Sequence, residues 1–265
     1  MGGWLLNLPV LWMALVVFTA TYLVAAGVYF VVTRLAVNER AKSFKAVSAG
    51  LLPPLGVLFA LLVSFTAIEV WSSFDKAKVA VATEASALRT VVLLARVFPD
   101  EERTRINTQV NRYIDDSVNK EWPEMAQQRA TLSILPEALI EQLYDTLTLK
   151  PANESQRIAQ PEMLKALQSA LDARRQRIVI SQSTMVTVKW VALILQALCT
   201  LIAIAMVHSD NRATCAITLT LFATGIALSM LLITAYTRPF TGEISVGPEL
   251  LKQVLASPAA VRKTR

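Results

Sequence analysis

The most informative segment of this sequence is residues 51–74, which read LLPPLGVLFALLVSFTAIEVWSSF. It belongs to a stretch, residues 46–68, that contains no Asp, Glu, Lys or Arg. A helix needs about 20 apolar residues to cross the hydrocarbon core of a bilayer. The segment is therefore predicted to be a membrane span, with Glu69 about one turn from its end.

Three further stretches without charged residues, at 1–33, 190–207 and 213–237, reach or approach the length of a span. The chain is 54% hydrophobic and only 17% charged, whereas soluble domains carry roughly 25% charged residues. No strand-like alternation of useful length is present. We therefore predict an all-α integral membrane protein with four transmembrane helices.

The spans divide the chain into four parts. We expect the first two transmembrane helices in residues 1–71, a soluble helical domain in 72–186, the last two transmembrane helices in 187–237 and a C-terminal tail in 238–265. Gly and Pro are both absent from 57–98 and from 162–223. The second and third spans are thus expected to continue out of the membrane as stalks, which together form a membrane-proximal helical bundle.

Prolines and other residues that start or end helices divide the expected soluble domain into shorter segments. Short helices are expected after Pro99, after Pro123 and after Pro136, because proline is favoured at helix starts. Residues 150–160, which include Pro151, Asn153 and Ser155, are predicted to be the main exposed loop.

Charge patterning informs the partners and the orientation. The chain carries 26 basic and 20 acidic residues, a net charge of +6, and residues 72–186 are neutral as a block. The excess positive charge therefore lies near the membrane, and we expect lipid rather than nucleic acid as the partner. Eight basic residues flank the spans on the side of the soluble domain and five on the other side. This favours a cytoplasmic soluble domain and cytoplasmic termini, although the basic first loop, residues 34–45, supports the opposite orientation.

Motifs for catalysis or metal binding are absent. The sequence has no glycine-rich phosphate loop, no H-E-x-x-H and no Cys/His cluster. His208, its single histidine, lies at a predicted membrane boundary, so a serine or cysteine nucleophile would lack its usual base. We expect no enzyme activity, no cofactor and no metal site.

Two faces of the second span are candidates for function. Small residues recur every four positions and would let another helix approach closely; this helix-packing face consists of Gly56, Ala60 and Ser64. The opposite face is apolar apart from one carboxylate; its members are Leu58, Leu62, Phe65 and Glu69. That face either contacts lipid and neighbouring helices, or lines a pore in a symmetric oligomer, with an apolar constriction and a ring of carboxylates. Pro53 and Pro54 are expected in the first helical turn.

The two stalks each carry an apolar seam with one charged member. Glu84 interrupts the seam that runs from Phe74 to Ala95, and Arg174 interrupts the seam that runs from Leu164 to Met185. Both charged residues lie about 20 Å from the expected membrane edges. We predict an ion pair between Glu84 and Arg174 inside the bundle; the alternative is that both are solvated on outer faces.

Several short motifs resemble those of bestrophins. These are LLVSF at 61–65, followed by WSSFDKAK at 71–78. In addition, EWP at 121–123 and RPFTG at 238–242 resemble the bestrophin-like family of bacterial membrane proteins, and that resemblance covers nearly the whole chain. Thr66 stands where bestrophins have an arginine, and Glu69 is acidic where they are usually neutral.

The resemblance implies a four-span subunit of a bacterial inner membrane that assembles as a pentamer around its second span, with cytoplasmic termini. We therefore expect a homo-oligomeric ion channel, with inorganic ions as the permeant species, or a protein derived from such a channel. Five Glu69 carboxylates would raise the local cation concentration, so anion selectivity is not implied. The alternative is a non-conducting membrane scaffold or sensor whose helical domain binds a protein partner.

Overall fold

Helices make up all of the regular secondary structure in the described residues. The computed structural model describes residues 8–36, 39–134, 136–183 and 185–260, and for residues 39–43, 45–49 and 256–260 only the backbone. The start of the first charge-free stretch, residues 1–7, the end of the tail, residues 261–265, and most side chains of the basic first loop lie outside this description.

The described elements follow one another along the chain as helices joined by short connections. A single 3₁₀ turn, Ala95–Val97, and a single π turn, Ser117–Glu121, interrupt the α-helical pattern in the described residues. The α-helices are α1 (Val10–Leu35), α2 (Glu39–Leu94), α3 (Asp100–Asp116), α4 (Trp122–Ala126), α5 (Glu137–Thr148), α6 (Glu154–Gln182), α7 (Thr187–Val207), α8 (Arg212–Tyr236) and α9 (Glu249–Ala260).

Four of these helices are long and apolar enough to cross a membrane. They are α1, α7, α8 and the part of α2 that begins at Gly50. The prediction of an all-α protein with four candidate membrane-spanning helices is confirmed. The chain forms two compact units: Met1–Ser72, Thr184–Arg238 and Gly242–Ile244 make the first, and Ser73–Ser183, Pro239–Thr241 and Ser245–Arg265 make the second.

The first unit packs α1, the first part of α2, α7 and α8 around one apolar core. The core includes Val28, Phe59, Val70, Leu193, Leu201, Leu219 and Ile233. Side chains cap two helix starts: the Asn211 Oδ1 accepts hydrogen bonds from the amides of Ala213 and Thr214, and the Glu243 Oε2 accepts one from the Val10 amide at 2.9 Å. These caps satisfy backbone donors that have no partner inside the helix.

The second unit packs the last part of α2 with α3, α5 and α6. The apolar seam predicted on α2 is buried throughout, and Glu84 is as completely buried as its neighbours Ala77, Leu88 and Val91. The facing helices contribute Val110, Ile114, Leu139, Met163, Leu167 and Ala170. Every helical turn from Phe74 to Ala95 places at least one residue in this core, so the 3.6-residue period of the sequence is enough to predict the buried face.

The expectation that the third span continues directly into a stalk was wrong. Helix α6 ends at Gln182 and α7 begins at Thr187, with extended backbone at Ser183 and Val186. This junction lacks Gly and Pro but is rich in Ser, Thr and Val. These residues disfavour helix because β-branched side chains lose χ1 freedom and hydroxyls compete for backbone hydrogen bonds.

The expected loop at 150–160 was also too long. Helix α6 begins at Glu154, because the Asn153 Oδ1 accepts a hydrogen bond from the Gln156 amide at 2.9 Å. The Gln156 side chain reciprocates by accepting a hydrogen bond from the Ala152 amide. The arrangement is a variant of the capping box, in which the glutamine reaches the amide one residue before the N-cap, and it fixes the helix start seven residues before Pro161.

Pro53 and Pro54 were predicted to lie in the first turn of the second span, and this was wrong. Both prolines lie inside α2. Helix α2 begins at Glu39, well before Pro53 and Pro54. A preference for the first turn decides the position only when nothing else stabilises the residues before it. Prolines are tolerated within membrane helices, where neighbouring groups satisfy the freed backbone carbonyls.

Candidate functional site

The second span turns one side toward the rest of the first unit. On this side Phe59, Thr66 and Val70 are buried, and Leu62 and Val63 are half-buried against the same core. The buried positions recur at helical spacing, so they form one continuous stripe along α2.

The residues predicted to line a pore lie mostly outside this stripe. Phe65 is 68% exposed and Leu58 is 56% exposed. The Glu69 side chain is likewise 56% exposed. Leu62 differs from them, because it is half-buried at the margin of the packed side. The four residues therefore form a strip whose outer members are left uncovered by the described residues of the first unit.

The small-residue face is also open in the subunit. Ala60 and Ser64 are exposed, and Gly56 is half-buried. A Cβ placed on Gly56 would meet no atom within 4 Å. Within the described part of the first unit, no helix packs closely against this face, and its role as a contact for another helix stays a prediction.

Glu69 has a cationic partner that the sequence analysis missed. The Lys189 Nζ lies 2.5 Å from both carboxylate oxygens of Glu69. The two side chains are 39% and 56% exposed, so the pair contributes at most about 1 kcal/mol to stability. The pair as a whole has no net charge, so Glu69 is not a bare carboxylate.

A second candidate site is a buried charge network in the second unit. Glu84 and Arg177 have no solvent exposure and form a bidentate pair. The Arg177 Nε donates to Glu84 Oε2 at 2.8 Å, and the Arg177 Nη2 donates to Glu84 Oε1 at 3.0 Å. The Tyr113 hydroxyl donates a short hydrogen bond to the same Oε1.

Glu121 extends this network to a second arginine. Its Oε2 accepts from the Arg177 Nη2 at 2.9 Å, and its Oε1 accepts from the Arg174 Nε at 2.7 Å and Nη2 at 2.5 Å. Arg174 also donates to the Ile134 carbonyl at 3.0 Å. Two carboxylates and two guanidiniums thus cancel in charge within one hydrogen-bonded group, as burial requires.

The structure corrects the predicted partner of Glu84. Glu84 binds Arg177, three residues beyond the predicted Arg174, and Arg174 instead binds Glu121. The prediction counted residues from the membrane edge along an unbroken helix, and the break between α6 and α7 makes that count invalid. The i,i+3 spacing of Arg174 and Arg177 was the available signal, since both lie on one helix face.

The network perturbs the acid–base properties of its members. Burial alone would lower the pKa of the Arg177 guanidinium, but Glu84 beside it holds that pKa above its usual range. Burial, reinforced by Glu84, raises the pKa of the Tyr113 hydroxyl well above 10. Both groups are therefore fixed in one protonation state, with Arg177 charged and Tyr113 neutral.

Aromatic residues enclose Arg177 on its remaining side. The guanidinium lies 4.5 Å from the centre of the Trp122 ring, which in turn meets the Phe240 ring edge-on. The Trp122 Nε1 donates to the Val246 carbonyl, and the Thr241 hydroxyl donates to the Ala126 carbonyl. Sequence segments more than 100 residues apart are thus joined around one buried cation.

Comparison with known proteins assigns the family. A family model described as the Bestrophin-like domain matches residues 9–251. The chain belongs to the bestrophin-like family. No curated protein and no solved structure shows significant similarity to it.

Two of the sequence motifs that resemble the bestrophin-like family contribute residues to the buried network or to the aromatic rings beside it. The segment EWP at 121–123 supplies the second carboxylate and the stacked ring, and the segment RPFTG at 238–242 supplies the ring edge and a hydroxyl. Two of the motifs on which the resemblance was based therefore meet at the Trp122 ring, which lies against Arg177.

The network generates a stability prediction. Glu84→Gln leaves the fully buried Arg177 with only Glu121 as a charged partner, so we expect the free energy of unfolding to fall by about 3–5 kcal/mol. Chemical unfolding in mild detergent measures this. The matched control is Glu162→Gln, which breaks an exposed pair with Lys165 and should cost at most about 1 kcal/mol. Equal effects of the two substitutions would contradict the role of the network.

Proposed function

We propose that this bestrophin-like protein forms a homo-oligomeric ion channel, or a non-conducting descendant of one, with the second span lining the axis. The observation that carries this proposal is the exposed strip of Leu58, Phe65 and Glu69 on α2. An enzymatic function is not proposed, since the candidate sites offer no base or nucleophile in working geometry.

The second span is the least covered of the four. Within the most apolar 18 residues of each span, 11% are buried in the second, against 22% in the first, 44% in the third and 33% in the fourth. A span that its own subunit leaves bare is the natural contact between subunits, and copies placed around a symmetry axis would present this side to one another.

The chemistry of the strip suits a gate that closes by dewetting. Leu58 and Phe65 are large and apolar, so a ring of either would form a constriction from which water is readily expelled. The Glu69–Lys189 pair would stand at one mouth. Since the pair has no net charge, we propose that the mouth does not itself select cations, in contrast to the simpler expectation for a ring of bare carboxylates.

The remaining parts of the proposal follow the family. We propose a pentamer in a bacterial inner membrane, with the second unit and both termini in the cytoplasm, which the distribution of basic residues also favours. Inorganic ions would be the permeant species.

A non-conducting scaffold or sensor is the second candidate function. It is favoured by a cavity of about 270 Å³ in the second unit, because a pure channel needs no recessed site in its soluble part. In that case the oligomer would form but would carry no current.

Oligomer mass and current together test the channel proposal. Native mass spectrometry of the full chain in mild detergent should give one closed oligomer, five-fold by the family resemblance. In planar bilayers Phe65→Ala should increase the current several-fold, because a smaller ring is easier to wet. The matched control is Leu221→Ala on α8, an equally exposed apolar residue, which should leave the current unchanged. A monomeric or dimeric mass would refute a central pore, and silent, well-formed oligomers of both variants would favour the scaffold.

The Glu69–Lys189 pair predicts how ion selectivity changes. Glu69→Gln leaves the positive charge of Lys189 at the mouth and should shift the reversal potential toward anion permeation. Lys189→Gln should shift it toward cations, and the double variant should return near the wild type. Reversal potentials in a salt gradient measure this. Shifts of the same sign in both single variants would rule out the pair as part of the conduction path.

A further inference from the structure

Arg238 carries a positive charge that no group in the described residues compensates. It lies two residues beyond the end of α8 and is half-buried. Its Nε is buried and makes no hydrogen bond to the described residues. Its two terminal nitrogens also form no hydrogen bond or ion pair there, but they are not buried. The edge of the guanidinium that carries them is therefore open to a group from outside the described chain.

Arg238 differs in this respect from the other cationic side chains that the structure describes. Each other described Lys or Arg is exposed to water, paired with a carboxylate, or both. Burial lowers the pKa of the Arg238 guanidinium from its usual range, since no described carboxylate offsets the loss of water around the charge. A half-buried cation without a partner is costly, and an anion that binds it reduces that cost.

The carboxylates of the described first unit at the same membrane boundary have other partners. The order of the spans places the end of α8 on the side where α1 begins, the second span ends and α7 begins. Glu69 on this side binds Lys189, and the Glu243 Oε2 accepts a hydrogen bond from the Val10 amide at 2.9 Å. Neither carboxylate forms an ion pair with Arg238. The described part of the first unit therefore leaves Arg238 unmatched.

Exposed apolar and aromatic side chains occupy this boundary. Leu11 and Trp12 in the first turn of α1 are 78% and 57% exposed, and Trp71 at the end of the second span is 47% exposed. The Trp71 ring meets the Tyr236 ring edge-on, with 6.3 Å between the ring centres. Tryptophan and tyrosine are enriched where the hydrocarbon meets the headgroups, which is the depth of the lipid phosphates.

This surface favours a lipid anion over a free one. A hydrated inorganic anion gains nothing from apolar side chains, whereas an acyl chain is stabilised by covering them. A phospholipid at the end of the spans offers both an anionic phosphate and acyl chains.

We propose that Arg238 binds the phosphate of a membrane phospholipid, which is a more specific contact than general exposure to the bilayer. The terminal nitrogens donate charge-assisted hydrogen bonds to the phosphate oxygens, for which the planar guanidinium is well suited. The acyl chains cover the exposed apolar side chains of the same boundary. The proposal concerns a single subunit, so it does not depend on conduction.

Three probes added at equal concentration to the full chain in mild detergent test the proposal. Dioleoylphosphatidylglycerol has acyl chains and a phosphate, dioleoylglycerol has only the acyl chains, and sodium phosphate has only the phosphate. Native mass spectrometry counts the lipids bound per chain, and the shift of the thermal unfolding midpoint reports binding of all three probes.

We expect saturable binding of dioleoylphosphatidylglycerol and at least about tenfold weaker binding of each other probe, the difference that one hydrogen bond between charged groups provides. Equal binding of dioleoylglycerol would mean that the phosphate is not recognised. Equal binding of sodium phosphate would mean that the site takes a free anion. Either result would overturn the proposal, as would an absence of saturable binding by dioleoylphosphatidylglycerol.

Two matched arginine variants separate binding from folding. Arg238→Gln should weaken binding of dioleoylphosphatidylglycerol at least about tenfold. The unfolding midpoint of the lipid-free variant should stay the same or rise, because a half-buried charge without a partner is removed. Arg212→Gln changes an exposed arginine at the opposite end of α8 and should leave the binding unchanged.

Equal lipid binding by the two variants would show that Arg238 is not the site. A lowered midpoint of lipid-free Arg238→Gln, with lipid binding unchanged, would show that Arg238 is paired within the protein or its oligomer, and would likewise refute the proposal.

Discussion

The burial of one guanidinium is the constraint on which the second unit depends. Arg177 has no solvent exposure, and an isolated charge in that position would be far too costly to retain. Glu84, Glu121 and the Trp122 ring must therefore surround it at once. Glu84 lies on α2, Glu121 on the π turn and Trp122 on α4, and Phe240 after α8 packs against the Trp122 ring. The network on Arg177 of α6 therefore fixes how these segments pack.

The first unit obeys a different constraint, set by the bilayer. Between membrane helices there is no hydrophobic driving force, so packing, capping and close approach decide which sides meet. The side of α2 with Phe59 and Val70 packs into the subunit core, and the side with Phe65 does not. In the proposed oligomer, neighbouring copies would give the uncovered side a protein environment and, around an axis, a path for ions. The buried network fixes the packing of the second unit, whereas the bare span would form the contact between copies in the proposed oligomer.

The sequence was sufficient where one physical rule dominates. Long charge-free stretches require spans, the 3.6-residue period of the α2 seam requires a buried face, and Pro99 and Pro136 do precede helices. It was insufficient where weak preferences compete over short distances. The break between Gln182 and Thr187 arises from several residues that each disfavour helix slightly. Asn153 caps α6 by accepting a hydrogen bond from the backbone amide of Gln156, a role that competes with the preference of asparagine for turns. Glu84 pairs with Arg177, and Glu69 pairs with Lys189. Both partners are set by how separate helices pack, and the residue spacing within a single helix does not predict that packing.

The central claim, that copies of the second span surround a common axis, is tested most directly by distances between spin labels in the assembled protein. Labels would be attached at Phe65→Cys or at Leu221→Cys, in a background without Cys199 and Cys215, and measured by pulsed electron paramagnetic resonance. The account predicts that neighbouring Phe65 labels lie within roughly two helix diameters, about 25 Å, and closer together than Leu221 labels. Phe65 labels that lie farther apart than Leu221 labels would place this side of the span against lipid and contradict the account.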